Sequence, residues 1–340
     1  MLTPSAPAPD NSHGDSHRDS HDDSQAHLAA IWSTLQLIQG SRLDVESPDG
    51  QELIARSIDR ALYLMSLVEE SLSAEQALSE HFRKSALIGE LRQATYDEQL
   101  QLFYQPIFQL QPHPGQPEHI IGVEALLRWH HPRIGSIGPR EFLPMIETTD
   151  YIHELETWVL RQACLQVQDW HQQGWGSLGL NVNVSVRQLE QTHVLNQVLK
   201  ILAETGLRAD LLTLELTDTE MPHTCQTIRQ LLAQLRQQGI QVRLDHVGAG
   251  SLALQAIEDL PVDGFKVDQL LVSHNHCQSL TKLMKQAEQR GLSVVVAGIE
   301  TLDQLEYLRG LGCTLGQGYL LSPPLDPSDM ERLLHRSTFA

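Results

Sequence analysis

The sequence predicts a closed (β/α)8 barrel preceded by a helical extension, and three observations predict it. From about residue 98 onward, eight short strand-like runs are separated mostly by longer amphipathic helical patterns. The stretch is about 240 residues long, the size that such a barrel takes. A polar or charged residue lies in or closes each run, and a barrel of this kind carries its chemistry at the C-terminal ends of its strands.

The chain opens on residues 1–27, rich in Pro, Ser, Asp and His, where "SHGD SHRD SHDD" from Ser12 to Asp23 repeats every four residues. That composition predicts a solvated, disordered tail. The alternative is capture of a transition metal by His13, His17 and His21, because imidazole suits such ions. Residues 28–95 follow as a helical extension: "LAAIWSTLQLI", then "QELIARSIDRALYLMSLVEESL", in which Leu53, Ile54, Ile58, Leu62 and Leu67 recur near helical spacing. These helices are expected to pack on the main domain, on a second copy or on a protein partner.

The barrel domain is expected over residues 96–340. Its strands read "LQLFYQPIF", "IIGVEALLRW", "LGLNVNVS", "LLTLELT", "IQVRLDHV", "GFKVD", "SVVVAGI" and "CTLGQGYL". Between them, "ETWVLRQACLQVQDWHQQG", "CQTIRQLLAQLRQQG" and "LTKLMKQAEQRG" carry helical patterns, the last two ending at Gly as helices do.

Bulk properties narrow the function. There are 24 Lys and Arg against 43 Asp and Glu, a net charge of −19. That field opposes a nucleic-acid polymer or an anionic membrane as partner. The N-terminus has neither the basic start nor the apolar core of a signal peptide, and no run approaches the ~20 apolar residues of a membrane span. A cytoplasmic protein is expected. Cys164, Cys225, Cys277 and Cys313 are far apart and fit buried thiols better than disulfides or a zinc site.

The polar residues at the strands are Gln105, Glu124 with Arg128, Asn183, Glu215, Asp245 with His246, Lys266 with Asp268, Glu300 and Gln317. Glu124, Asn183, Glu215 and Asp245 offer three carboxylates and an amide, an all-oxygen set that suits Mg²⁺, Mn²⁺ or Ca²⁺ rather than zinc. Lys266 and Arg128 would then supply fixed positive charge to an anionic ligand.

Eight segments carry a resemblance. "YQPIF", "EALLRWHHP", "NVSVRQL", "ELTD", "LDHVGAG", "FKVD", "VVAGIET" and "GQGYLLSPPL" follow one another in the order and approximate spacing of the EAL domain, a family of phosphodiesterases and receptors of the bacterial second messenger cyclic di-GMP. The resemblance covers about residues 90 to 335 and implies an EAL-type, TIM-like barrel. It also implies a divalent ion, usually Mg²⁺ or Mn²⁺, held by Glu124, Asn183, Glu215 and Asp245, with Lys266 as the catalytic lysine. Gln105, Arg128, Asp218 and Gln317 match positions that contact or frame the dinucleotide or its loop, and Glu300 matches a supporting glutamate. Pairing of two chains through barrel helices is a further implication. No cyclase-type G-G-D-E-F segment occurs.

Departures gather in the catalytic half. His246 stands where the family has a second Asp that helps to hold a second metal, and Asp218 replaces a Glu. Ala297 stands where the family has the Glu that activates or orients the attacking water. The expectation is therefore a catalytically impaired EAL domain acting as a cyclic di-GMP receptor. The alternatives are a slow or active phosphodiesterase releasing pGpG, and an interaction module that regulates a partner without the nucleotide.

Overall fold

The computed structural model describes residues 87–338 apart from 96, 112–118, 148, 190, 192, 218–225, 249–259 and 273–276. The expected tail, the extension as far as residue 86, and Asp218 lie outside the described residues. A compact unit begins at Leu91. Residues 91–95 belong with it because Leu91 and Ala94 are buried, and the Tyr151 hydroxyl donates to Leu91 O at 2.9 Å.

The strands are β1 Leu100–Gln109, β2 His119–His131, β3 Gly135–Ile137, β4 Gly179–Val184, β5 Leu212–Leu216, β6 Gln241–Val247, β7 Gly264–Val267, β8 Ser293–Val296 and β9 Leu315–Gly316. The helices are α1 Pro139–Ile146, α2 Tyr151–Gln172, α3 Val186–Leu189, α4 Val194–Thr205, α5 Gln226–Gln237, α6 Cys277–Arg290, α7 Leu302–Gly310 and α8 Pro327–Thr338. Among the described residues the strands form one sheet in the order β1-β9-β8-β7-β6-β5-β4-β2-β3, and a further β1–β2 pairing closes it. Since β3 pairs only with β2, the remaining strands make the eight-stranded barrel that the sequence predicts.

Two features differ from a regular (β/α)8 pattern. First, β1 runs antiparallel to both neighbours, β2 and β9. A parallel neighbour needs a crossover of about a dozen residues or more, and only residues 110–118 separate β1 from β2. Second, the last two strands are shorter than their apolar runs. Beyond Val296 the backbone turns at Gly298, whose φ is +75°, and a Cβ there would lie 2.2 Å from Gln269 Cβ. Only glycine accepts both the left-handed backbone and the close approach.

Strands covered on both faces should read as continuous apolar runs, and residues Val294–Val296 do, whereas β5, "LTLEL", sets Thr213 and Glu215 among its leucines. All of them are buried. Helix α2 supplies Ala163, Cys164, Val167 and Trp170 to the core, and Trp170 meets the Tyr104 ring edge-on at 4.9 Å between centroids. Cys164 and Cys313 are buried free thiols, as expected. No helix among the described residues is long and apolar enough to cross a membrane.

Candidate functional site

Register partners on adjacent parallel strands share a face, and every second residue returns to it. Asn183 of β4 pairs with Glu215 of β5, and Glu215 with Arg243 of β6. Gln105 of β1 stands opposite Glu124 of β2. Asp245 lies two residues beyond Arg243. Lys266 of β7 pairs with Val295 of β8. The strands thus turn these polar side chains into one largely buried cluster inside the barrel.

Lys266 is its centre. Its Nζ donates to Glu124 Oε2 at 2.6 Å and to Glu215 Oε2 at 2.9 Å, and lies 4.0 Å from Asp245 Oδ1. Around it, Asn183 Nδ2 donates to Glu124 Oε1 at 2.9 Å and Gln317 Nε2 to Glu124 Oε2 at 2.7 Å. Glu215 Oε1 accepts from Asn181 and, at 3.3 Å, from Arg243 Nη1. Gln105 joins through Gln317 Nε2, 3.4 Å from its Oε1. Glu215 is 0% exposed and Lys266 4%. Burial alone would lower the lysine's pKa, but the carboxylates of Glu124, Glu215 and Asp245 outweigh it and hold the ammonium charged.

The donor set fits a hard cation. Asn183 Oδ1 is buried without a hydrogen-bond partner among the described residues, as is Gln317 Oε1. A buried acceptor left unpaired costs about 1–3 kcal/mol, so such an atom points to a partner that the described residues do not supply. An amide oxygen beside three carboxylates is a hard-cation environment. As the side chains stand, no group of three His, Cys, Asp or Glu residues among those described is drawn together as a metal cage; the Lys266 ammonium sits between the acids instead.

The remaining candidates fall at the mouth or away from it. His246 is re-aimed by a break in β6–β7 register between Leu244 and Val247 and by its own φ of +54°. Its Nδ1 lies 2.9 Å from Asp245 Oδ2, and its backbone N–H donates to Asp245 Oδ1 at 2.8 Å. Burial pushes the Asp245 carboxyl up, but Lys266 and these bonds hold it below the usual range. The bond to Asp245 in turn raises the His246 imidazole. Ala297 follows β8, donates its N–H to Val267 O at 3.0 Å, and by alternation shares the face of Val295 and Lys266. It brings a methyl group there. Arg128 is half-buried, stacks 5.8 Å from the Phe103 ring centroid and donates to Leu127 O.

Glu300 is not brought to the cluster. It is exposed, and among the described residues the contact it makes is by its backbone N–H, which donates to Gln304 Oε1 at 2.8 Å. Its position belongs to the start of α7, where Thr301 and Gln304 form a capping box. Sequence reasoning missed Asn181 and Arg243, although each stands two residues before a candidate on the same strand. That spacing was the available signal.

The EAL domain profile matches residues 88–324. The chain belongs to the EAL family. Curated relatives include the cyclic di-GMP phosphodiesterase NbdA of Pseudomonas aeruginosa, 35% identical over 255 residues, which are 74% of this chain and 32% of that protein. The cyclic di-GMP phosphodiesterase PA2567 of the same organism is 33% identical over 260 residues, 75% of this chain and 43% of that one. This EAL chain therefore spans less than half the length of either. Among solved structures, PaMucR phosphodiesterase in complex with c-di-GMP has 32% identity and a TM-score of 0.66, covering 72% of this chain and 99% of that one. The Xanthomonas citri FimX EAL domain, at 20% identity and a TM-score of 0.63 over 73% of this chain and 97% of that one, shares the fold.

Proposed function

We propose that this EAL chain is a cyclic di-GMP receptor that hydrolyses its ligand poorly. Ala297 carries the reading. The resemblance assigns that position to the glutamate that activates or orients water, and the chain offers a methyl group there, on the face of Lys266. Loss of a positioned general base costs roughly 10²- to 10⁴-fold in rate. Glu300 does not replace it, being exposed at the head of α7.

The binding half is retained. Glu124, Asn183, Glu215 and Asp245 would hold a Mg²⁺ or Mn²⁺ ion, with Ca²⁺ as the further candidate. When bound, such an ion supplies Lewis acidity towards water and the phosphodiester. Lys266 and Arg128 provide fixed cations for the phosphates, and Gln105 and Gln317 provide amides at the mouth. Two relatives named as cyclic di-GMP phosphodiesterases, and a solved EAL structure holding the dinucleotide, support that ligand.

Calorimetry with cyclic di-GMP in Mg²⁺ or Ca²⁺, run beside chromatographic separation of pGpG in Mn²⁺, tests both halves. Binding with little pGpG is expected, and Ala297→Glu should raise turnover at least ten-fold. Absence of binding at tens of micromolar would sink the receptor and leave the nucleotide-independent interaction module. A slow phosphodiesterase is the second reading, favoured by the imidazole that His246 holds on Asp245. Substantial wild-type turnover, abolished by Glu124→Ala and not raised by Ala297→Glu, would establish it.

A further inference from the structure

We infer that Lys266 is the resident counter-ion of this cluster, and that a divalent cation occupies the Glu124, Glu215 and Asp245 carboxylates only by displacing it. The inference concerns the chain's own residues and holds whichever ligand the barrel mouth receives.

Every carboxylate oxygen in question already has a donor. Glu124 Oε1 accepts from Asn183, and its Oε2 from Lys266 and Gln317. Glu215 Oε1 accepts from Asn181 and Arg243, and its Oε2 from Lys266. On Asp245, Oδ1 accepts from the His246 backbone N–H and Oδ2 faces His246 Nδ1. Three carboxylates are thus set against two buried cations, Lys266 and Arg243, and each of their oxygens has a partner within the chain.

A further cation cannot simply be added between Glu124 and Glu215. At 2.6 and 2.9 Å the ammonium occupies the lone pairs of Glu124 and Glu215 that would face an ion bound between them. Two like charges sharing those oxygens would repel strongly in a site that water barely reaches. Exchange avoids this. The ammonium leaves, the oxygens turn to the ion, and Asn183 Oδ1 gains the partner that it lacks. Gln317 gives the displaced ammonium somewhere to go, because its unpartnered Oε1 belongs to the same amide whose Nε2 shares Glu124 Oε2 with Lys266. Cation affinity is then the difference between the ion's and the ammonium's hold on the same acids. Lys266 sets it low.

The test is a Mn²⁺ titration of the full chain, followed by the electron paramagnetic resonance signal of free Mn²⁺. Sites that survive Glu124→Gln are assigned elsewhere, the tail histidines included, and subtracted. Lys266→Met, which removes the charge and keeps much of the bulk, should bind Mn²⁺ in the cluster at least ten-fold more tightly than the wild type. Equal or weaker binding, or no cluster binding by either protein, would overturn the inference. If circular dichroism shows Lys266→Met to be unfolded, the wild type supplies the readout. Acetylation of Lys266, followed by peptide mass spectrometry, should quicken several-fold in saturating Mn²⁺ and be unmoved by Mn²⁺ in Glu124→Gln. Acetylation that is unchanged or slowed in the wild type would overturn the inference equally.

Discussion

Glu215 receives hydrogen bonds from three strands: Asn181 on β4, Arg243 on β6 and Lys266 on β7. Its charge is what makes burial of both cations tolerable, since breaking one side of a buried pair leaves the other uncompensated. Glu215→Gln keeps the shape and removes the charge, so it should destabilise the fold by about 3 kcal/mol in urea denaturation; a loss under about 1 kcal/mol would show that water enters the cluster. Two other residues report on core integrity. Burial pushes the Cys164 thiol up to about 12 and the Cys313 thiol up to about 11. A raised thiol pKa means little thiolate below it, so at about pH 8 both should resist iodoacetamide in the native state and react only after denaturation. Site-resolved mass spectrometry checks this, and native labelling of either one would place that thiol in a looser core. Most cluster residues were legible because a polar residue closing an apolar strand stands out against its run. The side chain of His246 was not, because its aim depends on a bulge and a positive φ that no periodicity encodes.

At the scale of elements, the eight strands were legible because each is an apolar run with β-branched or leucine-rich texture, bounded by turns. What the runs did not reveal was where hydrogen bonding stops. "SVVVAGI" continues as an apolar string, yet the strand ends at Val296 and the backbone turns at Gly298 towards α7. Glu300 and Thr301 therefore serve the helix. Thr301 Oγ1 accepts from Gln304 N–H at 3.3 Å, while Gln304 Oε1 accepts from the Glu300 and Thr301 backbone N–H groups at 2.8 and 3.0 Å. Thr301→Ala removes one arm of this box and should cost about 1 kcal/mol. Hydrogen exchange should quicken selectively in the first turn of α7. Should cyclic di-GMP affinity fall in step with stability, Thr301 would be serving the mouth as well as the helix. The motif "GIET" thus has a local structural account in Thr301 and Gln304, which explains why reading Glu300 as catalytic support found no counterpart in the cluster.

For the whole molecule, barrel class followed from strand number and spacing, but the direction of β1 did not, since period-2 patterning is the same in parallel and antiparallel neighbours. The hairpin is set by the length of the β1–β2 connection. Net charge acts at the same scale. The chain carries −19, and the buried cluster itself sets three carboxylates against Lys266 and Arg243. A cyclic dinucleotide with two phosphodiesters approaches as a dianion, so in the absence of divalent ions the overall field should repel it before it reaches the barrel mouth. Screening shortens that repulsion, with a Debye length of about 30 Å at 0.01 M salt and about 10 Å at 0.1 M. The association rate should therefore rise, by about three-fold, between those two conditions. Stopped-flow measurements with a fluorescent cyclic di-GMP analogue read it directly. A rate that falls with salt would mean that cations at the rim govern the encounter, and that the acidic surface lies out of the ligand's path.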